Sequence, residues 1–261
     1  MFNNDIDGDK GVNNFNQKTI NLFPVSIHQI DINGFDDVKN DLIDYIYDLK
    51  SNEPNGVTLS NRGGWQSSLF ELNKDNLLQK FLIKSLNNLP IHQLCSFDGD
   101  YWININPPNS FNVKHNHPST DLAGVLWIKC PDDSGNILFE NPFVFHDFTT
   151  INAYTDKFKY MNKQYHSFDF QPVEGRILIF PAHILHEVKE NKSNQDRISV
   201  SFNLKLSENK EYKKLIETAL ILENVKKVRP EWIVKSIYKM TNWSKKVYLI
   251  GNKYPRFNDS F

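Results

Sequence analysis

Cysteine is scarce in this chain of 261 residues, and the chain has neither a long apolar run nor an excess of charge. Two cysteines, Cys95 and Cys130, cannot form the disulfide framework of a secreted domain, so we predict a reducing, cytoplasmic location. No segment approaches the roughly 18 apolar residues of a membrane-spanning helix, so no membrane partner is expected. Thirty basic and thirty-one acidic residues leave a net charge of −1, which argues against bulk binding of nucleic acid.

The composition is that of a folded chain with two atypical ends. An apolar share of 39%, a third of it aromatic, supports a sizeable core. Residues 1–18 are rich in Asn, Asp and Gly without a signal-peptide pattern, and we predict a disordered lead-in. From Lys205 to Phe261 there are 13 basic and 6 acidic residues, a local charge of +7. We therefore predict a main domain at 19–206 and a basic helical extension at 207–261.

The hydrophobic period divides the main domain into a helical part and a β part. A first strand is predicted at 22–27, and helices are predicted at 36–50 and 75–86, each with apolar residues on one face. From Asp100 onward the period changes from 3.6 to 2, with turn signals between short segments. The predicted strands are 101–106, 111–117, 122–130, 136–140, 167–171, 176–180, 187–189 and 197–204. Short strands at this spacing indicate an α+β protein with a sandwich or jelly-roll core.

Three of the eight histidines stand where strands end. Residues i and i+2 of a strand face the same side, so His115 and His117 present two imidazoles to one point. Pro118 follows directly, which places the pair where a strand gives way to a loop. His186 follows the apolar strand at 176–180 and a turn that begins at Pro181. Imidazole is a ligand for iron, zinc, copper and nickel, so these three residues are candidate metal ligands.

Arg197 opens the last strand of the β part. Alternation puts Arg197, Ser199 and Ser201 on one face and apolar residues on the other, so the guanidinium points into the core or over its rim. A buried guanidinium requires a partner, and its planar fork suits a carboxylate. The partner could be an acid of the protein, Glu187 or Asp196, or the carboxylate of a ligand.

These stretches together resemble the Fe(II)- and 2-oxoglutarate-dependent oxygenases. The closer resemblance is to an oxygenase group with a His-x-His-Pro motif that is often encoded by phages and marine bacteria. The matching stretches follow one another over about 70% of the chain, from Leu22 to Leu204. They are Ser60–Ser67, Trp102–Asn104, His115–Pro118, Ala123–Val125, Gly175–Pro181, His186–Val188 and Arg197–Asn203.

The resemblance implies a double-stranded β-helix that holds Fe(II) at its mouth, with 2-oxoglutarate as cosubstrate. It implies that His115, His117 and His186 bind the iron, and that Arg197 and Ser199 bind the far carboxylate of 2-oxoglutarate. Most of the superfamily has Asp or Glu where this chain has His117, and a neutral ligand there leaves the site one charge more positive. Asp121 is the alternative third ligand.

Four other residues are expected at the walls and mouth of the same pocket. Asn104 and Trp127 lie on strands that flank the site and are candidate cosubstrate contacts. Arg62 and Trp65, in the loop with two glycines, are candidate substrate-side residues, although a structural turn packed on the β-core would explain them equally. The substrate could be a small metabolite, a peptide side chain or a nucleobase.

The expected activity is therefore a dioxygenase reaction that releases succinate and CO₂ and hydroxylates an unidentified substrate. Two alternatives stay open. One is a cupin-like protein that binds zinc, nickel or manganese through three histidines and does not use 2-oxoglutarate; it would have no need of Arg197 and Ser199 as a carboxylate clamp. The other is a binding or structural protein that keeps a jelly roll and has no metal.

Overall fold

The computed structural model describes residues 18–21, 24–72, 76–91, 95–143 and 151–218. The helices are α1 (Asp36–Asn52), α2 (Leu77–Leu86) and α3 (Asp156–Asn162), with a 3₁₀ turn at Ile151–Ala153 and helical residues at 210–218. The strands are β1 (His28–Asp31), β2 (Asn61–Arg62), β3 (Trp65–Gln66), β4 (Phe70–Glu71), β5 (Cys95–Asn106), β6 (Phe111–His115), β7 (Leu122–Lys129), β8 (Ile137–Glu140), β9 (Ser167–Phe170), β10 (Arg176–Pro181), β11 (His186–Val188) and β12 (Arg197–Glu208). Every helix in these ranges is too short or too polar to span a bilayer.

The strands form two antiparallel sheets. The seven-stranded sheet has the order β1-β10-β7-β12-β5-β3, with β4 also paired to β5. The five-stranded sheet has the order β2-β6-β11-β8-β9. The longest pairing joins β12 to β5 over twelve residues, from Arg197 opposite Asn106 to Glu208 opposite Cys95. This combination of helices with an antiparallel β-core agrees with the predicted mixed class.

Alternation along the strands gives the seven-stranded sheet two apolar faces. One face packs on the helices: Ile198, Val200 and Phe202 of β12 join Leu42 and Ile46 of α1 in one buried cluster. The other face packs on the five-stranded sheet in a second cluster, and there Phe180 of β10 contacts Phe139 of β8 with ring centroids 4.8 Å apart. The site described below lies in this second layer, between the sheets.

Three strands near the N-terminal half differ from the prediction. The first described strand is His28–Asp31; residues 24–27 of the strand predicted at 22–27 are irregular, and residues 22–23 lie outside the described residues. β1 is an edge strand with a single aliphatic residue, Ile30, so hydropathy does not reveal it; its pairing with β10 and the ion pair from Arg176 to Asp31 hold it in place. The predicted loop at 60–67 contains two-residue strands, β2 and β3, which are too short to show a period.

The last strand continues past the predicted domain boundary at 206. Leu206, Ser207 and Glu208 still pair with β5, and residues 210–218 continue as a helix. The division into a main domain and a basic extension stays a prediction. The lead-in at 1–17 and the extension after 218 lie outside the described residues.

Candidate active site

The ends of β6 and β11 bring three imidazoles to one place. His115 and His186 are direct partners across the antiparallel pair β6–β11. His117 lies two residues beyond His115, and its backbone N–H donates to Ala182 O at 2.9 Å, which anchors the turn after β6. One ring nitrogen of each histidine lies within 4.8 Å of those of the other two.

Backbone carbonyls orient two of the three rings. His115 Nδ1 lies 2.7 Å from Val113 O, and His186 Nδ1 lies 2.9 Å from Ile184 O. A carbonyl only accepts, so each Nδ1 carries the proton and each Nε2 keeps a free lone pair. The Nε2 atoms of His117 and His186 are 3.3 Å apart and face the same point. Convergent unprotonated nitrogens are the arrangement a divalent transition metal requires.

Burial keeps these imidazoles neutral. It lowers the pKa of His115 from the ordinary value of 6.5, against a smaller opposing effect of the Val113 carbonyl. Burial and then the neighbouring His115 lower the pKa of His117 to about 4 and that of His186 to about 3. The three side chains are therefore in the ligand-competent, unprotonated form at neutral pH.

The same pKa values predict an acid-sensitive fold for the metal-free protein. Below pH 6.5 the unfolded chain protonates His117 and His186, whereas the folded protein does so only near pH 4 and pH 3. Stability should therefore fall as the pH drops through that window, by about 2 kcal/mol for each histidine between about pH 7 and pH 5. Urea unfolding with a chelator at both pH values measures the loss.

A matched pair of variants identifies the groups responsible. His186→Leu should reduce this pH dependence, because it removes one buried titrating group. The exposed His183 lies three residues away, and His183→Gln should leave the dependence unchanged. An unaltered pH dependence in His186→Leu would contradict the assignment.

The three histidines open into a cavity between the two sheets. Its empty space is about 530 Å³, including the opening to solvent. One end carries the histidines and Trp102, whose indole stacks on His117 with ring centroids 5.8 Å apart. The walls carry Trp127 and polar residues of β5 and β12, and Arg197 also lines the cavity.

Arg197 is 1% exposed and has no acidic partner among the described residues. Its Nη1 donates to Ser134 O at 2.6 Å, to Gly135 O at 3.1 Å and to Lys189 O at 3.5 Å, and Nη2 and Nε make no hydrogen bond within the described residues. Gly135 (φ +93°) is required in this turn because a Cβ would lie 2.2 Å from Lys189 O. Burial lowers the pKa of Arg197 to about 10, which still leaves it charged at neutral pH.

Neither acid considered as a partner for Arg197 is available to it. Asp196 accepts a hydrogen bond from Tyr47 Oη at 2.9 Å, and Glu187 pairs with Lys189. The result is a buried cation that lines the cavity and has no acidic partner among the described residues, a costly arrangement unless an anion completes it.

The other predicted cosubstrate contacts share the cavity with Arg197. Ser199 and Trp127 line it, and so does Asn104, whose Nδ2 lies 3.0 Å from Ser201 Oγ. The Oδ1 atom of Asn104 is buried and has no hydrogen-bond partner among the residues that the structure describes. If the two amide atoms of Asn104 are interchanged, the Ser201 hydroxyl donates to Oδ1 and the Nδ2 group becomes free to donate to another acceptor. An anionic ligand in the cavity would be such an acceptor.

The two residues predicted on the substrate side lie elsewhere. Trp65 is 7% exposed and belongs to the cluster between the seven-stranded sheet and the helices, where its Nε1 donates to Glu53 O at 2.8 Å. Arg62 is exposed and donates to Leu59 O and Asn61 O, so it closes its own turn. The alternative explanation, a structural turn packed on the β-core, describes both residues, and neither lines the cavity.

The alternative third ligand, Asp121, does not join the histidines. Its side chain is exposed, and Oδ2 accepts from Leu206 N at 2.7 Å. The residues that sequence reasoning missed are Ser60, which lines the cavity, and Asn203, which contacts His117. Extending the alternation of β12 from Arg197 would have indicated Asn203, whereas no periodic signal marks Ser60.

Residues 100–203 match the family model described as "Putative 2OG-Fe(II) oxygenase". The matched segment contains all three histidines and Arg197. It is an Fe(II)- and 2-oxoglutarate-dependent oxygenase, and thus an oxidoreductase. Fe(II) is its metal, and 2-oxoglutarate is its cosubstrate. Comparison with curated protein sequences gives no match.

Solved structures of oxygenases are similar at low identity. A prolyl-4-hydroxylase from Pseudomonas putida is 14% identical, with 69% of this chain and 92% of that one covered and a TM-score of 0.49. A prolyl hydroxylase from Trichoplax adhaerens is 11% identical, with coverage of 68% and 82% and a TM-score of 0.46. HygX from Streptomyces hygroscopicus, solved with nickel and 2-oxoglutarate, is 8% identical, with coverage of 69% and 83% and a TM-score of 0.46. These likenesses do not bear on what this oxygenase acts on.

Proposed function

We propose that the oxygenase binds Fe(II) through His115, His117 and His186 and hydroxylates a substrate at the open end of the cavity. The observation that carries this proposal is one cavity with two complementary features. Three imidazoles converge at one end of it, and its wall carries a buried guanidinium that has no acidic partner in the part of the chain that the structure describes. A dianionic cosubstrate that also chelates a metal matches both features.

The ligand set leaves room for this chemistry. His115, His117 and His186 would hold Fe(II) as three protein ligands, and the coordination positions they do not fill would be open to the 2-oxo acid and to O₂. When bound, Fe(II) and 2-oxoglutarate supply O₂ activation, with one oxygen atom going to succinate and the other to the product. The side chains of the protein would therefore hold the metal, orient the cosubstrate and exclude water from the cavity. No general base is required.

Arg197 has the central role in binding the cosubstrate. Its free N–H groups would donate to the far carboxylate of 2-oxoglutarate, while its Nη1 stays on the Ser134 and Gly135 carbonyls. The Ser199 hydroxyl and the Asn104 amide would add donors from the same wall. Trp127, Ile137 and Val188 line the cavity with apolar surface, which lowers the local dielectric and strengthens this ion pair.

We also assign the two packed sheets to a double-stranded β-helix, or jelly roll. In that fold β6, β8, β9 and β11 would belong to the minor sheet, with β5, β7, β10 and β12 in the major sheet. The His-x-His-Pro stretch would then mark this chain's subgroup. A third neutral ligand leaves the metal one charge more positive than a His-x-Asp site, which favours anionic ligands in the open positions.

The direct test measures cosubstrate binding and turnover in the full chain. Calorimetry under anaerobic conditions should show 2-oxoglutarate binding to the Fe(II)-loaded protein and much weaker binding without metal. With O₂ admitted, succinate should form at a low uncoupled rate, and a screen for compounds that raise this rate identifies the substrate. Metal binding without any 2-oxoglutarate binding would contradict the proposal and favour the cupin-like alternative.

A further inference from the structure

One of the three histidines lacks a backbone acceptor for its ring. His115 and His186 each place Nδ1 against the carbonyl of the residue two positions earlier. A histidine that binds metal through Nε2 carries its proton on Nδ1, and that donor needs an acceptor when it is buried. Among the described residues, the ring of His117 has hydrogen-bonding neighbours only in His186 and Asn203.

Asn203 offers an acceptor that nothing else uses. It lies on β12 at the alternation of Arg197, Ser199 and Ser201, and therefore on the cavity face of the strand. Its Oδ1 atom is buried and completes no hydrogen bond in the part of the chain that is described. The side chain is nevertheless close enough to His117 for a hydrogen-bonding interaction to affect that ring.

Within the described residues, one buried acceptor without a partner thus lies beside one ring donor without a partner. We infer that Asn203 is the positioning residue for His117: its Oδ1 accepts the Nδ1–H bond and directs Nε2 to the metal. The inference rests on the proposed role of His117 as the third ligand. A carboxylate at position 117 would have no ring proton to place, so this asparagine suits a histidine in that position.

The consequence is a metal affinity that depends on a residue outside the ligand set. Loss of the acceptor leaves the donor of a metal-bound His117 unpaired and the ring free to rotate. Such outer hydrogen bonds typically contribute roughly 10- to 100-fold to metal affinity. The carbonyl-bound rings of His115 and His186 would be unaffected, so binding should weaken without being abolished.

Nickel binding by the full chain tests the inference, because Ni(II) needs no anaerobic handling and requires no turnover. Calorimetry should show Asn203→Leu binding Ni(II) roughly 10- to 100-fold more weakly than wild type. Asn203→Asp should restore the affinity, since a carboxylate also accepts from Nδ1. Asn203→Ala is a second variant in case leucine does not fit, and Ser201→Ala, on the same face, should leave nickel affinity unchanged.

A second background shows whether Asn203 acts through His117. Adding Asn203→Leu to His117→Asp, which keeps a ligand at position 117 but has no ring proton to place, should cause no further loss of nickel affinity, and the melting temperature without metal should stay near that of the parent. An additional loss of the same size in that background, or wild-type affinity in both Asn203→Leu and Asn203→Ala, would overturn the inference.

The same measurements separate this inference from the proposed function. If His115→Ala and His117→Ala lose nickel binding while Asn203→Leu keeps it, the ligand set stands and the role of Asn203 is wrong. If His117→Ala binds nickel as wild type does, the ligand set itself is wrong, and the inference fails with it.

Discussion

Replacing His115 or His186 by alanine should abolish both Fe(II) binding and succinate formation. The two rings face each other across β6 and β11, with centroids 4.4 Å apart, and each is oriented by a backbone carbonyl. Two remaining imidazoles cannot compete with water for Fe(II), and no carboxylate among the described residues joins the cluster to replace the lost ligand. Equilibrium dialysis measures the metal, and succinate formation measures turnover.

The third ligand is decided by a matched pair of variants. His117→Ala should lose metal and activity, because its Nε2 lies 3.3 Å from that of His186. Asp121→Ala should keep both and lose at most about 1 kcal/mol of stability, since its carboxylate accepts one exposed N–H, from Leu206. The reverse result, an active His117→Ala and an inactive Asp121→Ala, would show that Asp121 is the third ligand.

The β-core was predictable because it depends on the two-residue period. Strands buried on both faces, such as β7 and β10, appear as apolar runs between clear turn signals. The same period separates Arg197 and Ser199 from Ile198 and Val200, and this relation is local in the chain. The strand predicted at 111–117 ends at His115, so the turn after β6, held by the hydrogen bond from His117 N to Ala182 O, brings the second imidazole to the site.

The features that could not be predicted depend on pairing between distant segments. Nothing in Trp65 or its neighbours indicates that its indole reaches Glu53 on the helix side of the sheet. The carbonyls of Ser134 and Gly135 that hold Arg197 come from a turn more than sixty residues earlier. The alternation of β12 predicts which face Asn203 occupies. That it lies beside the ring N–H of His117 becomes clear only when the ring of His117 is placed.

Arg197→Ala should raise the apparent constant for 2-oxoglutarate steeply and leave Fe(II) binding nearly unchanged. The guanidinium is buried and charged, and no acidic side chain within the described ranges pairs with it, so the far carboxylate of the cosubstrate would complete its hydrogen bonding. Loss of one partner of such a desolvated pair costs on the order of 2–5 kcal/mol. At 1.4 kcal/mol per decade, this corresponds to roughly 30-fold to several-thousand-fold weaker binding.

Two further arginine variants separate cosubstrate binding from folding. Arg197→Lys should recover only part of the affinity, because an ammonium cannot reproduce two parallel hydrogen bonds to a carboxylate. Arg176→Ala is the control, since that guanidinium pairs with Asp31 at the surface and should not affect 2-oxoglutarate.

Arg197 also holds the turn at Ser134 and Gly135, so its removal can change stability as well as binding. Urea unfolding of each variant measures that part separately, and calorimetry with 2-oxoglutarate on iron-loaded protein measures the binding part. If Arg197 is only structural, its replacement should lower the free energy of unfolding and leave the 2-oxoglutarate affinity of the folded protein unchanged. If Arg197 binds the cosubstrate, its replacement should lower that affinity even in variants that unfold at the wild-type urea concentration. Arg197→Lys is the variant in which the two effects separate most clearly. Equal affinities in wild type, Arg197→Lys and Arg197→Ala would make the arginine purely structural and would place the 2-oxoglutarate carboxylate on another group of the cavity.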